Sequence, residues 1–150
     1  MKTVFSHNTW RLLCIEHVFT LPNILPELNR VLKIGGKILI TCPFAWEEHE
    51  APIDFARYTQ FALKDMLEKN GFKVVVTDKN GHFLSALHQL FVLYINDHWI
   101  DRVFFFSRFN FFKKIIRQIV VPSMNILFSI VEPILPKSDH FYLNTIIVAQ

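Results

Sequence analysis

A continuous apolar run directly after a pair of glycines constrains the fold of this chain more than any other feature. Ile38-Leu39-Ile40 follows Gly35-Gly36 with only Lys37 between them. A short apolar run after such a turn is typical of a strand that is buried on both faces, and strands of this kind occur in sheets covered by helices. The sequence therefore predicts an α/β fold.

The segments around this run alternate between helical and strand patterns. Before it, Asn23 can cap a helix with Pro26 in its first turn, and Gly35-Gly36 ends that helix. After it, Thr59 can cap a second helix that ends at Asn70-Gly71. The remaining predicted elements are a valine-rich strand at 72–77, apolar helical segments at 83–99 and 103–131 with a break at Pro122, and a strand at 141–149.

The composition excludes several classes of protein. Of the 150 residues, 51% are hydrophobic and 19% charged, which excludes a disordered or low-complexity chain. None of the four glycines form a Gly-x-Gly pair, so a dinucleotide fingerprint and a P-loop are both excluded. The two cysteines, Cys14 and Cys42, are too few for a disulfide scaffold and fit a reducing compartment.

No segment is predicted to span a membrane. The longest uncharged stretches, 80–96 and 118–131, carry polar residues or Pro122, whereas a spanning helix needs about twenty apolar residues. No secretory signal is visible at the N-terminus. We therefore expect a cytoplasmic protein, with contact to the inner face of a membrane left open.

Residues 102–117 combine aromatic and basic side chains. Residues 102–114 contain six phenylalanines and four cations, and Arg117 adds a fifth cation. A helix of this kind can lie on a membrane surface, with its rings at the acyl boundary and its cations at anionic head groups. It can equally cap a substrate pocket and bury the same rings. Nucleic acid is not expected as a partner, because the net charge is only +3 and the rings are clustered rather than spaced.

Three stretches, in sequence order, resemble one enzyme family. They are Ile15-Glu16-His17-Val18 with Glu27 to Lys33 and Gly35-Gly36, then Pro43-Phe44 with His49-Glu50, Pro52, Asp54-Phe55 and Arg57-Tyr58-Thr59, and finally Asn70-Gly71-Phe72. Together they resemble the C-terminal half of a class I S-adenosylmethionine-dependent methyltransferase of the type-11-like subgroup. That subgroup occurs among enzymes that modify envelope polysaccharides and lipids.

The resemblance implies a partial Rossmann-like fold, a three-layer sheet within one truncated domain of 150 residues. The match is specific over 15–81, a helical insertion or cap fills 83–137, and 141–150 forms the closing strand. Strands near 10–14 and at 37–42, 72–78 and 142–150 would be the fourth to seventh of the family sheet, the first two parallel and the last antiparallel to its neighbour. The Gly-rich loop and the ribose-binding acid of the family do not occur in these residues. We therefore expect the isolated chain to be inactive unless the N-terminal, cofactor-binding half of the family fold is supplied in trans.

The resemblance also implies roles for individual residues. S-adenosylmethionine would be the cofactor, with Cys14 and Glu16 beside it, and His17 would be the catalytic base. The alternative for Glu16 and His17 is that they begin a helix. The acceptor would be a small molecule, a glycan or a lipid-linked group. A second hypothesis, of a different class, is a non-catalytic, membrane-peripheral interaction protein derived from a methyltransferase.

A loop rich in polar residues follows the predicted buried strand. In open α/β sheets ligands bind at the carboxyl ends of the strands, so we expect this loop to contact the substrate. The alternative is that Asp54 and Arg57 pair to fix the loop while Tyr58 packs. The predicted substrate-binding residues are His49, Glu50, Asp54, Arg57 and Tyr58.

The same region contains residue types that bind metals. Cys14-x-x-His17 could be combined with Cys42, His49 and Glu50. Structural zinc sites usually show two pairs of closely spaced ligands, and this chain shows one. The sequence therefore predicts no metal site, and His82 and His88 are expected to be ordinary helix residues.

Overall fold

The computed structural model describes residues 10–103 and 110–150, which fall into two compact units. The first unit comprises residues 10–81 and Tyr142–Gln150. The second comprises His82–Phe141 and includes the segment predicted as a helical insertion. The two boundaries lie at Gly81–His82 and Phe141–Tyr142, and the assignment of all 150 residues to one truncated domain stays a prediction.

The first unit is a four-stranded sheet with two helices. Its elements are β1 (Trp10–Cys14), α1 (Leu21–Val31), β2 (Lys37–Pro43), α2 (Gln60–Lys69), β3 (Val74–Asn80) and β4 (Asn144–Ala149). The strand order is β1-β2-β4-β3. β1 and β2 are parallel, and β4 runs antiparallel to both of its neighbours. The predicted α/β class and the predicted strand directions are confirmed.

The core of this unit lies on one face of the sheet. In β2 the side chains of Ile38, Ile40 and Cys42 are buried, and they alternate with half-buried ones. They form one cluster with buried leucines of both helices, which are Leu21, Leu25, Leu63 and Leu67. Because alternate strand residues share a face, α1 and α2 cover the same side of the sheet. The described first unit thus shows two of the three predicted layers, and β2 is fully buried on one face instead of two.

Local signals explain the helix boundaries. Thr59 caps α2 as predicted, its Oγ1 accepting a hydrogen bond from the Ala62 N–H at 3.2 Å. The predicted start of α1 at Asn23 is wrong, because the helix begins at Leu21 with Pro22 in its first turn. Proline is favoured in the first turn of a helix, and this preference suggested Pro26. In the structure Pro22 occupies the first turn, and Pro26 lies inside the helix.

The second unit is helical. It contains α3 (Phe83–Tyr94), a π-helical turn (Ile95–Trp99), α4 (Ile100–Val103), α5 (Asn110–Val131) and a 3-10 turn (Glu132–Ile134). His82 caps α3 through its side chain, which accepts from the Ser85 N–H, so it is not an ordinary helix residue. His88 stacks on Phe128 with 4.1 Å between ring centroids, and this contact joins α3 to α5.

α5 is continuous through Pro122, so the predicted break is wrong. The backbone φ of proline suits a helix, although proline offers no N–H to the carbonyl four residues earlier and its ring crowds that carbonyl. Pro122 is exposed, so water can satisfy that carbonyl. The continuous stretch Phe111–Ile134 is long and apolar enough to cross a membrane by length and composition, which corrects the expectation that no segment reaches this length.

One side of α5 carries exposed apolar side chains. Among them are Phe112, Ile119, Ile126, Leu127 and Ile130, each more than half exposed. Their spacing places them along one stripe of the helix. Two of the nearby cations are paired, because Lys113 and Arg117 both contact Asp101, at 3.5 and 2.9 Å. Residues 104–109 of the basic aromatic segment lie outside the described residues.

Candidate functional site

Two loops meet at the carboxyl edge of the parallel strands. Glu16 and His17 lie in the turn after β1, and residues 44–59 form the loop after β2. The N–H of Phe55 donates to the carbonyl of Glu16 at 2.9 Å and so joins the two loops. The alternative that Glu16 and His17 begin a helix is wrong, since α1 starts at Leu21.

The orientation of His17 is set by a backbone carbonyl. Its Nδ1 lies 2.9 Å from the oxygen of Ile53. A carbonyl oxygen only accepts hydrogen bonds, so Nδ1 carries the proton and donates it. In the neutral ring Nε2 then holds a lone pair. The His17 side chain is 26% exposed.

Two carboxylates face the Nε2 atom of His17. Glu16 Oε1 lies 3.8 Å away and Glu50 Oε2 lies 3.7 Å away, both beyond hydrogen-bond distance. The Glu16 side chain is 10% exposed, and its Oε2 is buried without a hydrogen-bond partner in the described part of the chain. Glu50 adopts a φ of 53°, in the left-handed region that costs a non-glycine residue free energy.

His49 comes from the second loop to the same place. Its ring lies edge-on to that of His17, with 5.1 Å between centroids. Its Nδ1 lies 3.3 Å from the Glu47 carbonyl and 3.3 Å from Asp54 Oδ2. Both neighbours are acceptors, so the proton resides on Nδ1 and Nε2 keeps the lone pair. Ligand atoms of Glu16, His17 and His49 lie within 4.8 Å of one another.

Asp54 and Arg57 form the pair that shapes the second loop. The guanidinium contacts both carboxylate oxygens, with Nη2 donating to Oδ2 at 2.7 Å, and Asp54 also accepts from the His49 N–H at 3.0 Å. These bonds, chiefly the one from Arg57, hold the pKa of Asp54 well below its usual range. Arg57 further donates to the carbonyls of Ala56 and Glu47. The structure thus shows the pairing that the sequence left open, and direct substrate contact by these two residues stays a prediction.

A buried thiol lies beneath the two loops. Cys42 is fully buried in the core, and burial raises the pKa of its thiol to about 11. Tyr58 packs against the core cluster, and its carbonyl accepts from Thr145 Oγ1 at 3.3 Å. Tyr58 is therefore partly structural. The side chain of Cys14 lies outside the described residues.

An open pocket of about 250 Å³ adjoins the second loop. Its lining includes Trp46, Glu48 and Phe55 together with the Asp54–Arg57 pair. Trp46 and Glu48 were not predicted as site residues. His17 and His49 were combined only as possible metal ligands, and the meeting of His49 with Glu16 was not predicted, because the residues lie on different loops. The polar loop after a buried strand pointed to His49, and the family resemblance pointed to Glu16 and His17.

Comparisons with known proteins show a partial likeness at the level of the fold. No protein-family model matches the sequence, and no curated protein matches it. The chain is similar to part of phosphoethanolamine N-methyltransferase 2 of Haemonchus contortus in complex with S-adenosyl-L-methionine, with a TM-score of 0.47, 14% identity and coverage of 95% of this chain and 32% of that chain. The same enzyme with phosphomonomethylethanolamine and S-adenosylhomocysteine gives a TM-score of 0.45 at 14% identity and the same coverage.

A third similar structure is the [4+2]-cyclase SpnF, with a TM-score of 0.49 and 16% identity. The match covers 95% of this chain and 49% of that chain. This chain therefore spans between a third and a half of the length of the proteins to which it is similar. The likeness concerns the fold and does not assign a cofactor site to this chain.

Proposed function

We propose that this chain forms the acceptor side of an S-adenosylmethionine-dependent methyltransferase. The acceptor would be a glycan- or lipid-linked oxygen or nitrogen. Support comes from the motifs over residues 15–81 and from a sheet whose parallel and antiparallel strands run as the resemblance predicts. The two loops that carry the motifs meet at the edge of the sheet where ligands bind in α/β folds.

The orientation of His17 carries the proposal. Methyl transfer to a hydroxyl or an amine requires the acceptor to be aligned with the donor and to lose a proton. The Nδ1–H of His17 donates a hydrogen bond to the Ile53 carbonyl, so in the neutral ring the lone pair lies on Nε2. His17 follows the carboxyl end of β1, and its Nε2 would take the proton of the acceptor.

The cofactor fits these residues only in part. S-adenosylmethionine would supply the methyl group, and Glu16 offers a carboxylate oxygen that has no hydrogen-bond partner. A Gly-rich loop for the rest of the cofactor does not occur in the 150 residues. These residues are therefore proposed to hold the acceptor and the base, while the cofactor would be bound largely by other parts of the enzyme.

The second loop would bind the acceptor. The pocket beside it combines the aromatic ring of Trp46, the carboxylate of Glu48 and the apolar ring of Phe55. In this proposal Asp54 and Arg57 act as positioning residues, because their bonds are made to one another and to the loop backbone. His49 and Glu50 border the same space near His17.

The test adds, as a separate chain, the half of the family fold that binds the cofactor. The full chain is mixed with the first three strands and Gly-rich loop of a class I methyltransferase, and binding of S-adenosylhomocysteine reports assembly. Methyl transfer from labelled S-adenosylmethionine to glycan and lipid fractions is then measured. We expect transfer, with His17→Gln lowering kcat by about 10²- to 10⁴-fold and changing cofactor affinity little. An assembled complex that binds the cofactor but transfers no methyl group would contradict the proposal.

A second candidate function rests on the exposed stripe of α5. A helix with apolar side chains along an exposed face and cations near its start can lie on an anionic membrane. The pairing of Lys113 and Arg117 with Asp101 reduces the available charge, so apolar contact would supply most of the affinity. In this alternative the protein is a non-catalytic, membrane-peripheral partner at the cytoplasmic face.

Vesicle sedimentation distinguishes this candidate. The full chain is sedimented with anionic and with neutral vesicles, and Ile119→Asp, on the apolar stripe, is compared with Gln118→Asp, which adds the same charge at the adjacent exposed position. Loss of binding only in Ile119→Asp would support membrane contact. Equal behaviour of both variants, or no binding to either kind of vesicle, would contradict it.

A further inference from the structure

We propose that Glu16, His17 and His49 form a binding site for a divalent transition metal ion. The three residues place ligand atoms within 4.8 Å of one another, at the carboxyl edge of β1 and β2. Two imidazoles and one carboxylate are a common ligand set for such ions, with further positions left open. The proposal rests on this geometry and does not require that the chain takes part in methyl transfer.

The first argument is electrostatic. With its proton on Nδ1, His17 directs the lone pair of Nε2 toward Glu16 Oε1 at 3.8 Å and Glu50 Oε2 at 3.7 Å. Electron-rich atoms at these distances repel one another in a partly buried site. A cation between them turns that repulsion into attraction.

The second argument is the state of Glu16. Its side chain is nine-tenths buried, and its Oε2 has no hydrogen-bond partner among the residues that the structure describes. A buried, unsatisfied carboxylate oxygen is costly unless it is paired with a charge or bound to a metal. The other oxygen of the same carboxylate faces His17, so the group lies beside the site that we propose.

The third argument is the support behind the ligands. A metal-binding histidine usually donates its second N–H to a carbonyl or a carboxylate, which fixes the ring. His17 does so to the Ile53 carbonyl at 2.9 Å, and His49 does so to the Glu47 carbonyl and to Asp54, each at 3.3 Å. Protonation of Nδ1 leaves the lone pair of each neutral ring on Nε2, and the two rings lie 5.1 Å apart, centroid to centroid.

The distances require only a small closure. Around an ion with bonds of about 2.0–2.2 Å, ligand atoms lie about 3–3.6 Å apart. Here they lie within 4.8 Å, so side-chain movements of about 1 Å would complete the site. Glu50, which is 63% exposed and has an unfavourable φ of 53°, is placed to close the open side.

The ligand set indicates the class of metal. Imidazole favours Zn²⁺, Co²⁺, Ni²⁺ and Fe²⁺, whereas Mg²⁺ and Ca²⁺ prefer sites made entirely of oxygen atoms. A metal on Nε2 would occupy the lone pair that the proposed base uses. Metal binding and proton transfer by His17 would therefore exclude one another on the same molecule.

Calorimetric titration of the full, untagged chain with Zn²⁺, after treatment with a chelator, tests the proposal. Co²⁺ provides a second readout through its visible absorption. We expect one ion per chain with a Kd near or below about 10 μM and no comparable binding of Mg²⁺. We expect Glu16→Gln, which keeps the size of the side chain, and His49→Asn each to weaken binding by at least about tenfold.

His140→Ala is the matched control, since it removes an exposed histidine of the second unit. It should leave Zn²⁺ affinity unchanged, and Zn²⁺ should raise the Tm of the wild-type chain and of this control by more than that of the two ligand variants. If no Zn²⁺ binds at 1 mM, the proposal is overturned. Equal affinity in wild type and Glu16→Gln, or equally tight binding of Mg²⁺, would also overturn it.

Discussion

His17 donates a hydrogen bond from Nδ1 to the backbone carbonyl of Ile53 at 2.9 Å, although 36 positions separate the two residues. This bond connects the turn after β1 with the loop after β2, and it determines which nitrogen of the ring is free. The proposed base and the proposed metal site both require that Nε2 is the free nitrogen. A base needs the lone pair of Nε2 to take a proton, and a metal site needs it to bind an ion.

The Asp54–Arg57 pair should control the rigidity of the second loop. In Asp54→Asn the charge that binds Arg57 and the His49 N–H is lost, so we expect the His49 amide to exchange with solvent at least about ten times faster. Asp65→Asn is the control, because Asp65 pairs with Lys69 on the exposed surface of α2. Unchanged exchange at His49 would show that the pair does not hold the loop.

The same pair predicts a pH dependence. Because the pKa of Asp54 is lowered in the folded state, its stabilisation is present above the ordinary value of 3.8 and is lost as the pH falls below it. Wild-type protection of the His49 amide should therefore decrease in acid. Asp54→Asn should lack this step, and a step of equal size in both proteins would contradict the assignment.

Gly71 and Gly35 allow a matched test of backbone packing. Both have positive φ, 82° and 78°, but a Cβ at Gly71 would lie 2.7 Å from Asn29 Nδ2, whereas one at Gly35 would meet nothing within 4 Å. Gly35→Ala should cost about 1–2 kcal/mol of unfolding free energy from strain. Gly71→Ala should cost about 1 kcal/mol more, because Asn29 must give up its bond to the Asn70 carbonyl.

Urea unfolding measures this difference. Adding Asn29→Ala to both glycine variants should bring their losses closer together, since the clash then has no partner. Equal losses in the two single variants would show that Asn29 does not constrain the end of α2.

Cys42 should make the folded state sensitive to alkaline pH. Burial raises its pKa from 9.0 to about 11, so the folded state keeps the proton that the unfolded state loses in this range. Stability is then fully present below pH 9 and decreases up to pH 11, by about 2–3 kcal/mol in all. Unfolding free energies at pH 8 and pH 10.5 should differ more for wild type than for Cys42→Ala. Parallel pH profiles would contradict the burial of this thiol.

The fold was predictable where the signals are local. The Thr59 cap, the strand after Gly35-Gly36 and the end of α2 at Asn70-Gly71 each depend on a few adjacent residues. The start of α1 was misplaced because Pro22 and Pro26 satisfy the same preference. The break predicted at Pro122 was wrong, because at this exposed position water can satisfy the backbone carbonyl that receives no hydrogen bond from the proline.

The site was only half predictable for a related reason. The family resemblance pointed to His17, and the polar loop after the predicted buried strand pointed to His49; the two were combined only in a metal site that the sequence did not favour. Their meeting depends on the path of the second loop, which is set by the Asp54–Arg57 pair and by the bond from Phe55 to the Glu16 carbonyl. These contacts join residues that are distant in sequence, and no spacing rule anticipates them.

The isolated chain should bind the cofactor poorly. The 150 residues contain no Gly-x-Gly and hence no Gly-rich loop for the donor. Losing several hydrogen bonds to charged groups, each contributing about 1.5–3 kcal/mol, would reduce a micromolar ligand to millimolar affinity or weaker. Calorimetric titration with S-adenosylhomocysteine should therefore show a Kd above about 1 mM, and a Kd near 10 μM, roughly −7 kcal/mol, would contradict this account.

The most direct test of the central claim is the position of the proton on His17. Nitrogen-15 NMR of the metal-free chain at about pH 8.5, above the ordinary histidine pKa of about 6.5, distinguishes the two neutral tautomers. The His17 signals are assigned as those that disappear in His17→Gln. The account predicts a protonated Nδ1 and an unprotonated Nε2. A proton on Nε2, with Nδ1 unprotonated, would contradict both the proposed base and the proposed metal site.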